Sequence, residues 1–192
     1  MSWFKTSEFT AEPELSQNHD CSSIKLKGLN QYRSGDEQAL IRSTIGELNS
    51  ESAVYFMTNG AWSNISIIEY ILEFTGPADV YFSTWSISAD AIRKFQLWKS
   101  SGLVKEVLAV MDIGIRNRKP ELYQQAVAAF PGLKFSKCHA KVAIIVGDSL
   151  VFTVMGSANL TRNPRREVGI ISSSLDIALK NIEWIKEEVG DV

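Results

Sequence analysis

The sequence predicts an α/β domain: a mixed, largely parallel sheet flanked by helices on both faces. Strand-like and helix-like segments alternate from about residue 35 onward, and after residue 132 several strands follow one another through short connections. The hydrophobic fraction of 45%, set against 22% charged residues, belongs to a soluble globular chain. At 192 residues the chain can bury one substantial core without disulfides or metals.

Taken in order, residues 35–49 (GDEQALIRSTIGELN) place Ala39, Leu40, Ile41, Ile45 and Leu48 at helical spacing, giving an amphipathic helix. AVYFMT (53–58) reads as a strand. Residues 64–74 repeat the helical pattern, with Asn64 a candidate cap and Gly76-Pro77 the stop. ADVYFSTW (78–85) is a buried strand. Ser88 or Asp90 caps a helix that Gly102 stops, and residues 104–114 form a further strand. After the loop IRNRKP, Pro120 suits the first turn of a helix ended by Pro131-Gly132. Strands follow at 133–139, 140–146, 150–156 and 166–172, and a helix over 175–189 comes last. Residues 1–30 lack periodicity and are expected to form an arm or poorly ordered leader to a domain spanning 31–192.

Composition narrows the function. No apolar run approaches the ~20 residues of a membrane span, and the polar start lacks a signal segment, so a cytoplasmic protein without membrane attachment is expected. Cys21 and Cys138 are too few and too far apart for a disulfide framework or a zinc site. The net charge of −2 hides an asymmetry: residues 116–167 hold nine basic against three acidic residues, the remainder eleven against nineteen. A basic face on an acidic body suits a phosphate-bearing substrate, although a solvated surface produces the same count.

The chemistry concentrates in 139–167, HAKVAIIVGDSLVFTVMGSANLTRNPRREVG. His139 and Lys141 open a strand two residues apart, so their side chains leave on one face. Gly156, Ser157 and Asn159 end the next strand, and an antiparallel hairpin brings the two outer ends together. A cation and an amide there can hold phosphate oxygens while a neutral imidazole attacks phosphorus. Gly156 permits a tight turn, Ser157 adds a donor, and Glu167 is placed to fix the His139 tautomer. Arg116, Arg118 and Lys119, with Arg162, Arg165 and Arg166, supply a rim for a nucleic-acid backbone. Trp85, beside Ser86 at the end of a strand, is a candidate base-stacking residue, though a packed tryptophan is the commoner case. Burial is expected for Trp62, Trp98 and Trp184.

This pattern resembles the phospholipase D superfamily, whose HKD motif reads HxKxxxxD followed by GSxN and a later Glu or Gln. His139, Lys141, Gly156, Ser157 and Asn159 match it, and Glu167 occupies a fitting position. Where the family has Asp, this chain has Val146; Asp148 follows two residues later in a longer turn. The order of segments over about 78–172 is similar to that of small nucleases of the superfamily.

The resemblance implies a phospholipase D-like fold with one half-site per chain, and catalytic parts for His139, Lys141, Asn159, Glu167 and Ser157. Gly156 and Asp148 take structural parts. It also implies a phosphohistidine intermediate with no metal and no cofactor. Two motifs make one site in the family, and this chain has one, so a homodimer with the site on its two-fold axis is implied. The expected function is a metal-independent phosphodiesterase, foremost a nuclease acting on DNA or RNA. Alternatives are a phospholipid or other small-phosphodiester hydrolase or phosphatidyltransferase, and a non-catalytic nucleic-acid-binding or assembly protein that keeps the fold.

Overall fold

Alternate residues of the central strands point into two separate cores, and this alternation fixes where every helix packs. A computed structural model of the chain describes residues 22–25, 32–33 and 37–190, with side chains from Ala39 onward. Its elements are β1 (Ser22–Lys25), β2 (Tyr32–Arg33), α1 (Glu37–Ile45), β3 (Ala53–Asn59), α2 (Asn64–Thr75), β4 (Ala78–Thr84) and α3 (Ala89–Ser100). There follow β5 (Val104–Asp112), α4 (Ile115–Arg118), α5 (Pro120–Ala129), β6 (Gly132–Ser136), β7 (Val142–Val146), β8 (Val151–Gly156), β9 (Arg166–Ser172) and α6 (Leu175–Val189).

The strands form one sheet in the order β2-β1-β3-β9-β8-β7-β4-β5-β6. It is mixed, as expected, but not largely parallel. Only β4–β5 and β5–β6 pair in parallel; the other pairings are antiparallel. The physical reason lies in the connections. The strands followed by crossover helices, β3, β4 and β5, do point the same way, together with β6. The meander β7–β8–β9 then inserts between β3 and β4 and replaces a parallel ladder with antiparallel ones.

Ala143 and Ile145 of β7, Phe152 and Val154 of β8, and Val80 and Phe82 of β4 enter the larger core, beneath the apolar faces of α1, α2 and α3 and Ala126 of α5. Val142 and Ile144 of β7 and Val110 of β5 face the opposite way, onto Ala178 and Ile185 of α6. Each sheet face therefore has its own cover, as the sequence leads one to expect. Trp62 and Trp98 are buried in the larger core, and Trp184 packs against the smaller.

Local chemistry explains the element ends. Helix α1 stops at Ile45 rather than running to 49, because Gly46 takes the left-handed φ of 73° and its N–H closes on Arg42 O. Ser63, not Asn64, holds the N-cap position of α2. Ser88 caps α3, its hydroxyl accepting the Ala91 N–H at 3.1 Å. Ser22–Lys25, within the segment expected to form an arm or poorly ordered leader, pairs with β3, since a backbone ladder needs no side-chain periodicity. The rest of that leader, 1–21 and 26–30, lies outside the described residues. Among the described residues no helix is long and apolar enough to cross a membrane.

Phe82 is fully buried, stacked on Phe95 at 5.2 Å and meeting Phe130 edge-on at 5.6 Å. Phe82→Ala removes the centre of this aromatic group, so urea denaturation is expected to show about 3–5 kcal/mol of lost stability.

Candidate active site

Among β3–β9, five strand ends and two strand starts converge on one edge of the sheet. β3, β4, β5, β6 and β8 finish there, while β7 and β9 begin there. His139 and Lys141 immediately precede β7, and the ladder continues one step past it, with Gly156 N–H donating to Lys141 O at 3.2 Å. The two ends of the β7–β8 hairpin thus meet through the backbone itself.

The exposed His139 imidazole sits against Lys141, whose Nζ lies 3.4 Å from Nδ1 and 3.5 Å from Nε2. Near-equal distances place the ammonium over the ring rather than on one lone pair. Lys141 Nζ also donates to the His139 carbonyl at 2.8 Å, which anchors the pair. Partial burial pulls the Lys141 pKa below the ordinary lysine value of 10.5, and Cys138, Glu167 and Asp112 act in the other direction.

Asn159 is held by its oxygen. Trp85 N–H donates to Oδ1 at 3.2 Å, and the Thr84 hydroxyl lies 3.3 Å from the same atom. Because a backbone N–H must meet the amide oxygen, the NH2 of Asn159 is the end directed away as a donor. The turn carrying it is secured from below: Asn64, 7% exposed, donates from Nδ2 to Ala158 O at 2.5 Å. The Leu160–Ile87 bridge and the Ser88 N–H to Leu160 O bond of 3.0 Å tie the other side.

Ser157 joins β9 through backbone and side chain: its N–H reaches Val168 O at 2.9 Å, its hydroxyl oxygen accepts the Val168 N–H at 3.0 Å, and the hydroxyl donates to the Glu167 carboxylate. Within the chain, then, Glu167 meets Ser157 rather than the His139 imidazole. Glu167 lies on β9, with β8 between it and β7, so the end of β8 is what it meets. Gly156 acts differently from expectation: its φ is not positive, and a Cβ there would collide with Val168 O and lie 2.9 Å from Gly169 Cα. It lets β8 and β9 approach closely.

Asp148 is not brought to the site. It occupies the turn at the far end of β7, with its side chain 86% exposed and paired to Lys105 at 2.8 Å. The longer turn carries the carboxylate outward, away from the edge that holds His139. Val146, at the position of the family's Asp, packs against the smaller core.

The basic residues flank the centre. Exposed Arg116 and Lys119 lie just beyond β5, and exposed Arg162, Arg165 and Arg166 lie in and after the β8–β9 connection. At about 4.8 Å per strand, the span from β9 to β5 is roughly 20 Å of sheet edge with the histidine near its middle. Trp85 is half-buried, its indole 6.0 Å from the His139 ring at 64°. The Ser86 carbonyl accepts the Thr84 hydroxyl at 2.8 Å. Ser83 Oγ lies 3.0 Å from Cys138 Sγ. Cys21 and His19 fall outside the described residues. Asn64, Thr84 and Asp112, the last bonded to Arg118, support the site but are not singled out by the sequence pattern, because their partners lie far along the chain or in backbone.

Among the described residues no group of three His, Cys, Asp or Glu side chains is placed to hold a metal ion. No family model and no curated protein matches the chain. Among solved structures, polyphosphate kinase from Porphyromonas gingivalis is similar with a TM-score of 0.57 and 11% identity, over 73% of this chain and 26% of that one. The chain thus spans about a quarter of that protein's length. NucT from Helicobacter pylori is similar over 90% of this chain and 96% of its own, at 17% identity and a TM-score of 0.47. At 11% identity the likeness to the polyphosphate kinase is one of fold, and the fold is phospholipase D-like.

Asn64→Ala withdraws the donor from a buried carbonyl, at an expected cost of about 1–3 kcal/mol in chemical denaturation. Hydrogen exchange at Asn159 and Leu160 is expected to accelerate, and unchanged protection there would contradict the anchoring part given to Asn64.

Proposed function

We propose that the protein cleaves phosphodiester bonds of nucleic acid through a phosphohistidine on His139, at a site completed by a second copy of the chain. One observation carries this proposal. A single sheet edge gathers an exposed imidazole, an ammonium lying against it, and an amide whose oxygen is already occupied. Lys141 and the Asn159 NH2 take the non-bridging oxygens as charge builds on phosphorus. A nitrogen of His139 forms the P–N bond while the P–O bond to the leaving group breaks. That oxygen takes its proton from the partner's His139. Water then attacks phosphorus, the partner's His139 removes the water's proton, and cleavage of the P–N bond restores the imidazole.

The second copy is required because the chain contains two histidines and only His139 belongs to an HxK pattern. A two-fold axis through the edge sets one His139 against the other. The basic groups on both flanks favour a polyanion running along the edge over a small diester, and contacts of this kind confer affinity without sequence preference.

Purified protein is expected to cleave labelled DNA or RNA in EDTA, and His139→Ala to lose at least a thousandfold in rate. Dependence on added magnesium, or equal cleavage by the variant, overturns the mechanism. Sedimentation is expected to give a dimer at working concentration, whereas an active monomer rules out the shared site. The pH profile adds a further check. With its pKa lowered, Lys141 loses its charge earlier as pH rises, so the alkaline limb of kcat/KM is expected below 10.5. Lys141→Arg is expected to move that limb to higher pH in whatever activity it retains.

A further inference from the structure

Trp85 touches both halves of the site: its main-chain N–H holds Asn159 Oδ1, and its indole packs edge-on to the His139 ring. The position of that one residue therefore governs two groups separated by twenty positions in sequence. What fixes Trp85 lies at the end of the neighbouring strand β5 and in the short helix α4 that follows it. The Arg118 guanidinium covers the indole with its central carbon 3.9 Å from the ring centroid, and Nη2 donates to Trp85 O at 3.1 Å. Nη1 donates to Asp112 Oδ1 at 2.9 Å, and the same oxygen accepts Gly114 N–H at 3.1 Å. Two of the guanidinium's five N–H groups and one of its faces are thus engaged from within the fold.

Gly114 makes the arrangement possible through space rather than conformation. Its φ and ψ of −62° and −15° suit any residue. A Cβ there would nevertheless collide with Arg118 Nη1 and lie 2.7 Å from Asp112 Oδ1. The backbone tolerates a side chain at 114; the Asp112–Arg118 pair does not.

We infer that Asp112, Gly114 and Arg118 form a clamp that positions Trp85, and through it His139 and Asn159. Arg118 is then a positioning residue and not a phosphate contact, unlike the neighbouring Arg116 and Lys119. Its catalytic consequence rests on the proposed phosphodiesterase chemistry; the clamp itself does not.

Gly114→Ala separates the two roles of Arg118, because it keeps the charge and breaks the geometry. With two histidines in the chain, imidazole NMR resolves His139 from His19, and His139→Ala assigns the signals. In Gly114→Ala and Arg118→Ala, the His139 ring-proton resonances are expected to move toward free-imidazole positions as the indole current is lost, with thermal unfolding confirming a folded protein. For cleavage, kcat is expected to fall about tenfold or more with KM within about twofold, and the slope of log affinity against log salt to stay at the wild-type value. Arg118→Lys is not expected to rescue, since an ammonium lacks the planar fork. A phosphate contact gives the opposite result: Arg118→Ala lowers the salt slope by about one and Gly114→Ala binds normally. That result, or an unmoved His139 resonance in Gly114→Ala, overturns the clamp. If the wild-type protein cleaves no phosphodiester, the proposed function fails, and the resonance shift still decides the clamp.

Discussion

The register of the β7–β8 ladder is the constraint on which the site depends. Val142 stands opposite Met155, and the next rung joins Lys141 O to Gly156 N–H. A slip of one residue would turn each side chain of the hairpin to the other face. That slip is opposed on both sides of the sheet, because Ala143, Ile145, Phe152 and Val154 fill one core while Val142 and Ile144 fill the other. Residues in two dry cores, none of them chemically active, thereby set the spacing between an imidazole and an amide at the wet edge.

Beyond the ladder, the site is held by polar bonds over long sequence distances. Asn64 reaches the turn that carries Asn159, and Trp85 closes on Asn159 from β4. Ser157 fastens the end of β8 to β9. Each bond fixes a backbone segment that has no regular secondary structure. Precision at the edge therefore comes from hydrogen bonds, while the sheet as a whole is kept by apolar packing.

From β3 onward the elements were legible in the sequence, except α4, which falls in the stretch IRNRKP read as a loop. Strands buried on both faces, such as Val142–Val146, appear as continuous apolar runs, and Pro120 and Ser88 mark helix starts by their own chemistry. Strand order was not legible. β3 and β4 point the same way, which sequence alternation captures, yet three strands lie between them, and nothing local to either reveals this. The central residues of the site stood out through their spacing. Within the chain Glu167 meets Ser157 because β8 lies between it and His139, and Asp112 escaped notice because its partner Arg118 looked like part of a basic rim. Asp148 marks the same limit from the other side: its nearness to the motif in sequence is undone by a turn that faces away.

That outward turn has a practical consequence. Roughly 20 Å of extended chain separates Lys141 from Asp148, and Gly147 presses the turn against Thr75 at the end of α2, which steadies its base. A thiol introduced at 148 would give a handle for a fluorophore or for tethering to a solid support. Protein immobilised there would present its His139 edge away from the support.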